Sequence, residues 1–476
     1  MPIPHIDFRS NTQRVAPKLV AATQKSTRTA ITKRAQAIET FGEEKWQALR
    51  QAGHDIKLHA LTHLDEYLPM LQARITQAGG TVHWARDDAE ARRIVLALAA
   101  QHNAKRIVKV KSLATEEIEL NHALKEAGID VFETDLGEYI VQLAGQRPSH
   151  PTAPALHLTK EDIAELFSSK LGIDAPPDPP ALTEIARGKL REEFLAADIG
   201  ISGGNFLIAE TGTLVVVTNE GNGRMCTSLP PVHIAVVGIE KIIPDWESLA
   251  VMLKLLARSG TGQKITAYTN LITPGGEEGP REFHLVLLDN GRSRILQDEH
   301  ARETLLCIRC GACANICPVY NNVGGFAYGS IFLGPIGAIQ SPQLLGTKIA
   351  GDLPFASSLC GACADICPVK IPIPQILLHL RHRVAEGDRF ESAVVSKGVG
   401  VGGSMGARSI STPWLYRLGA RMLRVIQSPF RRGDWLPNLP PPFNRWTSVR
   451  PFPAFRNDFR EWWKSSRTRT NADERG

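Results

Sequence analysis

Seven of the eight cysteines fall into two short runs with a shared grammar. The first is Cys307-Ile-Arg-Cys310-Gly-Ala-Cys313-Ala-Asn-Ile-Cys317-Pro318, or C-x2-C-x2-C-x3-C-P. The second, Cys360-Gly-Ala-Cys363-Ala-Asp-Ile-Cys367-Pro368, is the same run without its first cysteine. Thiolates at this spacing curl around a [4Fe–4S] cube, and in two-cluster ferredoxins the fourth cysteine of each run ligates the other cluster. Crossing assigns Cys307, Cys310, Cys313 and Cys367 to cluster 1. It leaves Cys317, Cys360 and Cys363 for cluster 2, whose fourth position, three residues before Cys360, is Ser357. Cluster 2 is therefore [3Fe–4S], or [4Fe–4S] completed by the serine oxygen, water or a partner group. Zinc needs only four ligands, usually two C-x2-C knuckles, and accounts poorly for seven cysteines each run of which ends in Cys-Pro. The chain reads as an electron carrier.

Other residues of chemical interest are weaker. Glu220 and Arg224, in Asn219-Glu-Gly-Asn-Gly-Arg224, follow a predicted strand, where α/β sheets place their sites. Glu220 has the chemistry of a nucleophile or base, and Arg224 that of a carboxylate clamp. The preferred reading is plainer: Gly221 and Gly223 supply positive-φ turns. His59 and His63 lie one helical turn apart, but without a third ligand they belong to a surface helix. Cys226 stands alone and reads as an incidental buried thiol. Gly398-Val-Gly400-Val-Gly-Gly403 matches G-x-G-x-x-G without a surrounding βαβ unit or a ribose-binding acid, and reads as a linker.

The elements that must hold these residues follow from periodicity. Residues 1–75 read as a helical segment. From residue 76 an α/β rhythm begins: strands at 80–85, 106–111 and 129–133 alternate with helices at 87–101 and 114–127, with Asp87 or Asp88 as N-cap. Helices are predicted over 160–171 and 181–199. Two strands, 205–209 and 213–218, flank a tight turn at Glu210-Thr211-Gly212. A buried strand at 233–238, a helix at 245–259 and a closing strand at 283–288 end the domain near 297. This predicts a parallel sheet covered on both faces. Residues 298–384 hold the cysteines, and the 42 residues between Cys317 and Cys360 point to an α-helical two-cluster module rather than a small β-rich ferredoxin. Residues 385–476 form a Gly-, Pro- and Trp-containing extended tail.

Net charge is +6 and very uneven. Residues 401–476 carry fourteen Lys and Arg against five Asp and Glu, a balance of +9, leaving the first 400 residues at −3. No acid lies between Glu391 and Asp434. Such a tail suits an anionic partner: an acidic protein face or peripheral contact with a membrane surface, with no nucleic acid expected. A solvated tail is the plainer alternative. No apolar run approaches the roughly 20 residues of a membrane span. The N-terminus lacks a secretory pattern, and clustered reactive cysteines fit a reducing cytoplasm.

CIRCGACANICPVY, Gly334-Pro335-Ile-Gly337 and the run from Ser357 to Pro372 together resemble the lactate utilization protein B family. Upstream, NFLIAETGTLVVVTNEGNGR and HIAVVGIEKIIP look like that family's LUD domain, which is similar to the sugar-isomerase and CoA-transferase type of α/β fold. The resemblance covers nearly the whole chain and includes serine at position 357. It implies two iron–sulfur clusters on the seven cysteines and electron transfer during oxidation of L-lactate to pyruvate. It also implies two sister proteins, one a cysteine-rich heterodisulfide-reductase-like protein and the other a second LUD protein. It implies no catalytic residue in the LUD domain. No flavin or hydride site is visible, so the chain is not expected to oxidise lactate alone. The alternatives are a LUD domain that itself binds or turns over a small carboxylate, and service to another 2-hydroxy acid such as glycolate.

Overall fold

The computed structural model describes residues 5–150, 153–276 and 279–394, and from the remainder 404, 406–408, 410–441, 444–447, 450–455 and 463. It divides into two units, Met1–Val394 and Val395–Gly476.

The first unit opens with four helices, Phe8–Gln13, Pro17–Phe41, Glu43–Thr62 and Leu64–Gln77. Pro17 sits in the first turn, where its missing N–H costs nothing. Gly42 ends the second helix at φ 96° and returns its N–H to the Ile38 carbonyl.

Six parallel strands follow: β1 (Thr81–Ala85), β2 (Arg106–Lys109), β3 (Asp130–Glu133), β4 (Ile199–Ser202), β7 (Val232–Gly238) and β10 (Glu282–Leu288). Their order is β1-β10-β7-β4-β2-β3. Every residue of β4 and β7 is buried, as a sheet covered on both faces requires. Asp87 caps the following helix through the Glu90 N–H, and Asp245 caps Trp246–Thr261 through the Ser248 N–H.

Three sequence expectations are corrected. The helix expected over 114–127 is two, Leu113–Glu117 and Leu120–Glu126, broken where Glu119 adopts φ 49°. The helix expected to reach Ile199 stops at Ala196, and Ile199–Ser202 is a central strand. The β5 (Phe206–Ile208) and β6 (Thr213–Thr218) hairpin leaves the parallel sheet. It joins β8 (Ile242–Ile243) and β9 (Tyr268–Ile272) in a separate four-stranded sheet, β8-β5-β6-β9. β9 is half-exposed, with the large apolar residues Tyr268 and Leu271 facing solvent, so it lacks the apolar-in, polar-out alternation that marks a strand.

The cysteine region is helical. Its described residues from 298 to 384 contain no strand, and its helices include Ala312–Ile316, Pro318–Val323, Gly334–Leu345, Thr347–Ala350, Ala362–Ile366 and Ile373–Glu386. A single apolar core joins it to the rest: Ile38 and Trp46, then Phe206, Met252 and Leu255, then Ile339, Ile376 and Leu380. Leu255, Ile376 and Leu380 have no solvent exposure, and each contributes about 1.5–3 kcal/mol of burial.

In the second unit, helix Pro413–Ile426 has no buried residue. Strands β11 (Trp435–Leu436) and β12 (Phe452–Pro453) pair antiparallel, and the Gln427 amide bonds both backbone groups of Phe455 at 2.7 Å. The Gly398–Gly403 motif lies outside the described residues.

Candidate iron–sulfur sites and the adjoining cleft

The two cysteine runs fold alike. In each, a residue at positive φ precedes a cysteine: Arg309 at 63° and Leu359 at 55°. A left-handed glycine, Gly311 or Gly361, then starts a five-residue helix that ends at the Cys-Pro pair. The left-handed turns curl the loop so that sulfurs three residues apart face one point. Gly260 lets the Trp246–Thr261 helix touch this loop, because a Cβ there would lie 2.8 Å from the Cys310 carbonyl oxygen.

Folding brings the runs together in the crossed pattern. Cys307, Cys310, Cys313 and Cys367 line one cavity of about 40 Å³, walled by Ile308, Leu333, Ile336 and Ile371. Burial, then the neighbouring thiols Cys367 and Cys307, push Cys310 up to about 12. Burial and Cys307 push Cys367 up to about 11. In the second group, burial and the nearby Cys317 push Cys363 up to about 12. Cys360 is exposed, and the Ala362 N–H and the Ser358 hydroxyl lower its pKa. Buried thiols this close cannot all ionise without compensating positive charge. An iron–sulfur core supplies that charge, so the donor set fits the cofactor. Sulfur lone pairs are further engaged by backbone N–H groups: Arg309 on Cys307 at 3.4 Å, Tyr320 on Cys317 at 3.5 Å and Ile371 on Cys367 at 3.4 Å.

Ser357 occupies the place of Cys307 in the second run. The Leu359 N–H donates to Ser357 Oγ at 3.1 Å, two residues on, as the Arg309 N–H does to Cys307 Sγ.

Cations that sequence reading did not single out surround the first group. Arg50 donates through Nε and Nη2 to the Cys367 carbonyl at 2.9 and 2.7 Å, and Arg34 Nη2 to the Ile366 carbonyl at 3.1 Å. Lys241 Nζ donates to the Cys307 carbonyl at 3.2 Å. Lys241 lies within the quoted HIAVVGIEKIIP stretch; Arg34 and Arg50 look like ordinary surface residues of amphipathic helices and carry no such signal.

A polar cleft of about 320 Å³ opens at the carboxyl ends of β2, β4, β6 and β7. β3 lies on one side of β2 and β4 on the other, so this is the crevice where open α/β sheets bind ligands. Gly203 lets the two loops meet there, because a Cβ would fall 2.4 Å from Ser112 Oγ. Leu113, Ile308, Arg309 and Phe332 wall both the cleft and the cavity of the first cysteine group.

Glu220 lines this cleft, accepts the Leu136 N–H at 3.1 Å, and is pushed up to about 7 by desolvation and by Asp135. Arg224 is exposed and lines a different pocket, so the two do not converge on one ligand. The positive-φ reading of the glycines is also corrected. Gly221 has φ −71°, and neither glycine is in the left-handed region; Gly223 lies within helix Asn222–Ser228, where a Cβ would meet Thr218 Cγ2 at 2.8 Å. His59 bonds Tyr67 at 3.0 Å and His63 the His59 carbonyl at 2.9 Å, both on the N-terminal helices. Cys226 is buried against Thr134 Oγ1 at 3.3 Å and pushed up to about 12 by burial.

Comparison with known proteins matches residues 68–297 to the LUD domain and residues 303–371 to a 4Fe–4S dicluster domain. Lactate utilization protein B of Shouchella clausii is 45% identical over 428 residues, 88% of each chain. Its namesake in Bacillus cytotoxicus is 45% identical over 448 residues, 93% of each chain. A solved DUF162 family protein from Deinococcus radiodurans covers 47% of this chain and 98% of its own at 19% identity and a TM-score of 0.26. Among the described residues no helix is long and apolar enough to cross a membrane. Because the 45% identity runs through both the cleft-bearing and the cysteine-bearing domains, the chain belongs to the lactate utilization protein B family.

Proposed function

We propose that this chain is the iron–sulfur electron-transfer subunit of a multi-protein system oxidising L-lactate to pyruvate. Cys307, Cys310, Cys313 and Cys367 hold one [4Fe–4S] cluster; Cys317, Cys360 and Cys363, with Ser357 Oγ as fourth donor, hold a second. Such clusters accept and release single electrons. The observation that carries the reading is the placement of the two groups: the first backs onto the LUD cleft, sharing four wall residues with it, and the second reaches the surface at Cys360. Arg34, Arg50 and Lys241 set positive charge against the first group, which favours its reduced state. The partners are the cysteine-rich heterodisulfide-reductase-like protein and the second LUD protein. The test is reconstitution: anaerobic co-purification with both partners, then L-lactate, with cluster reduction followed by EPR. Lactate-dependent reduction only in the full assembly supports the reading. Reduction absent in the assembly, or dye-linked lactate oxidation by the chain alone, overturns it.

The tail suits peripheral contact with an anionic membrane. Helix Pro413–Ile426 gathers Arg417, Arg421 and Arg424 into one narrow basic stripe, bordered by Trp414 and Val425, and leaves most of the remaining circumference, with Leu418 and Met422, apolar. Trp414 and Val425 are 64% and 74% exposed. An exposed amphipathic helix with basic and interfacial aromatic residues lies in the headgroup plane.

A further inference from the structure

The structure assigns a divalent metal site to His102, Glu282 and His284, at the amino-terminal edge of the parallel sheet, away from both cysteine groups. We propose that it takes one borderline first-row cation, Zn²⁺ being the best fit, and clamps the end of a covering helix to the start of β10. Glu282 and His284 are two apart on a strand and so share a face. His102 is the C-cap of helix Asp88–Gln101. His102 Nε2 and His284 Nε2 each lie 3.3 Å from Glu282 Oε2, and all three atoms fall within 4.8 Å of one another. A tetrahedral ion with bonds of about 2.0–2.1 Å sets its donors about 3.3 Å apart.

Two further observations support a cation at this cluster. His102 Nε2 is buried without a hydrogen-bond partner in this structure. His284 Nδ1 is engaged by His83 Nε2 at 3.2 Å, from the neighbouring strand β1. In the tautomer a bound metal selects, His284 Nδ1–H donates to His83 Nε2 and His284 Nε2 offers its lone pair to the ion, replacing the 3.3 Å hydrogen bond that it otherwise makes to Glu282 Oε2. An outer imidazole that fixes the tautomer of a ligating histidine is a common support for bound metal. Glu282 has its side chain 44% exposed, which leaves an entry path and room for water in the fourth position.

The experiment uses the full chain with its clusters intact, dialysed against one equivalent of zinc and then gel-filtered. The expected result is about one zinc retained per chain, with a zinc-edge absorption spectrum of N/O scatterers at about 2.0–2.1 Å and no sulfur shell at about 2.3 Å. Sulfur would mark zinc lodged in the cysteines. His102→Ala and Glu282→Gln, both near the surface, should each weaken zinc binding at least tenfold with iron content and visible spectrum unchanged. His83→Phe, which touches no metal, should weaken it about 10- to 100-fold. A chain that retains no zinc, zinc in a sulfur shell, or a His102→Ala chain that binds like the parent overturns the proposal.

Discussion

At the residue scale the four donor positions of the two cysteine runs differ by one atom, the oxygen of Ser357 where the first run has the sulfur of Cys307. The Leu359 N–H meets Ser357 Oγ as the Arg309 N–H meets Cys307 Sγ, which supports the proposal that the serine oxygen is the fourth donor. Oxygen is a harder ligand than thiolate, so a serine donor would shift the potential of the second cluster. The oxidised parent protein should show no [3Fe–4S] EPR signal, and Ser357→Ala should show one. A three-iron signal in the parent, or no change on substitution, rules the serine out. On the proposed two-cluster reading, Cys310→Ala should remove about half of the iron; iron analysis and EPR report it, and complete iron loss would show that the two groups do not assemble independently. The cysteine spacing was legible in the sequence because a cube of fixed size dictates it. The cationic surroundings were not, because Arg34, Arg50 and Lys241 reach the site from helices and loops far away along the chain.

At the element scale, packing against the first cysteine loop is set by one glycine. A methyl group at Gly260 would press on the Cys310 carbonyl at 2.8 Å, so Gly260→Ala should cost about 1–3 kcal/mol of stability and lower the iron retained. Thermal unfolding and iron content measure both, and an unchanged variant would show that the loop yields freely. The tail helix makes a separate prediction. The full chain should pellet with vesicles containing anionic lipid and not with neutral ones, and replacing Arg417, Arg421 and Arg424 with Gln should release it. Equal binding to neutral vesicles, or none to anionic ones, would remove the membrane as its partner. Strand and helix types followed from periodicity where the residues are buried, as in β7. They failed at Ile199–Ser202 and Tyr268–Ile272: the first is short and glycine-bearing, and the second is half-exposed without alternation of apolar and polar residues.

At the scale of the whole molecule, the ends of the cysteine module are stapled by charge. Asp298 accepts from His379 Nε2 at 3.0 Å and pairs with Arg383, both on the Ile373–Glu386 helix. Burial alone would raise the Asp298 pKa, but His379 and Arg383 outweigh it and hold it at about 2. Its ordinary value is 3.8, so the folded state binds this proton less readily than the unfolded chain does. The pair therefore contributes fully above about pH 4, and its contribution is lost as pH falls towards 2. Asp298→Asn should lower stability at neutral pH and flatten the loss between pH 4 and 2, measured by denaturant midpoints; a parallel acid profile for both proteins would show that the staple carries nothing. By itself the sequence determined that this is an α/β domain followed by a helical module with two cysteine groups. Local spacing encodes both: burial imposes its period on strands and helices, and a cluster imposes its size on a loop. Only the tertiary structure decided that Glu220 and Arg224 part, that the LUD cleft shares a wall with the first cysteine group, and that two histidines and a glutamate converge at the amino-terminal rim of the sheet. Those facts depend on contacts between residues hundreds of positions apart, and chain packing, not spacing, sets them.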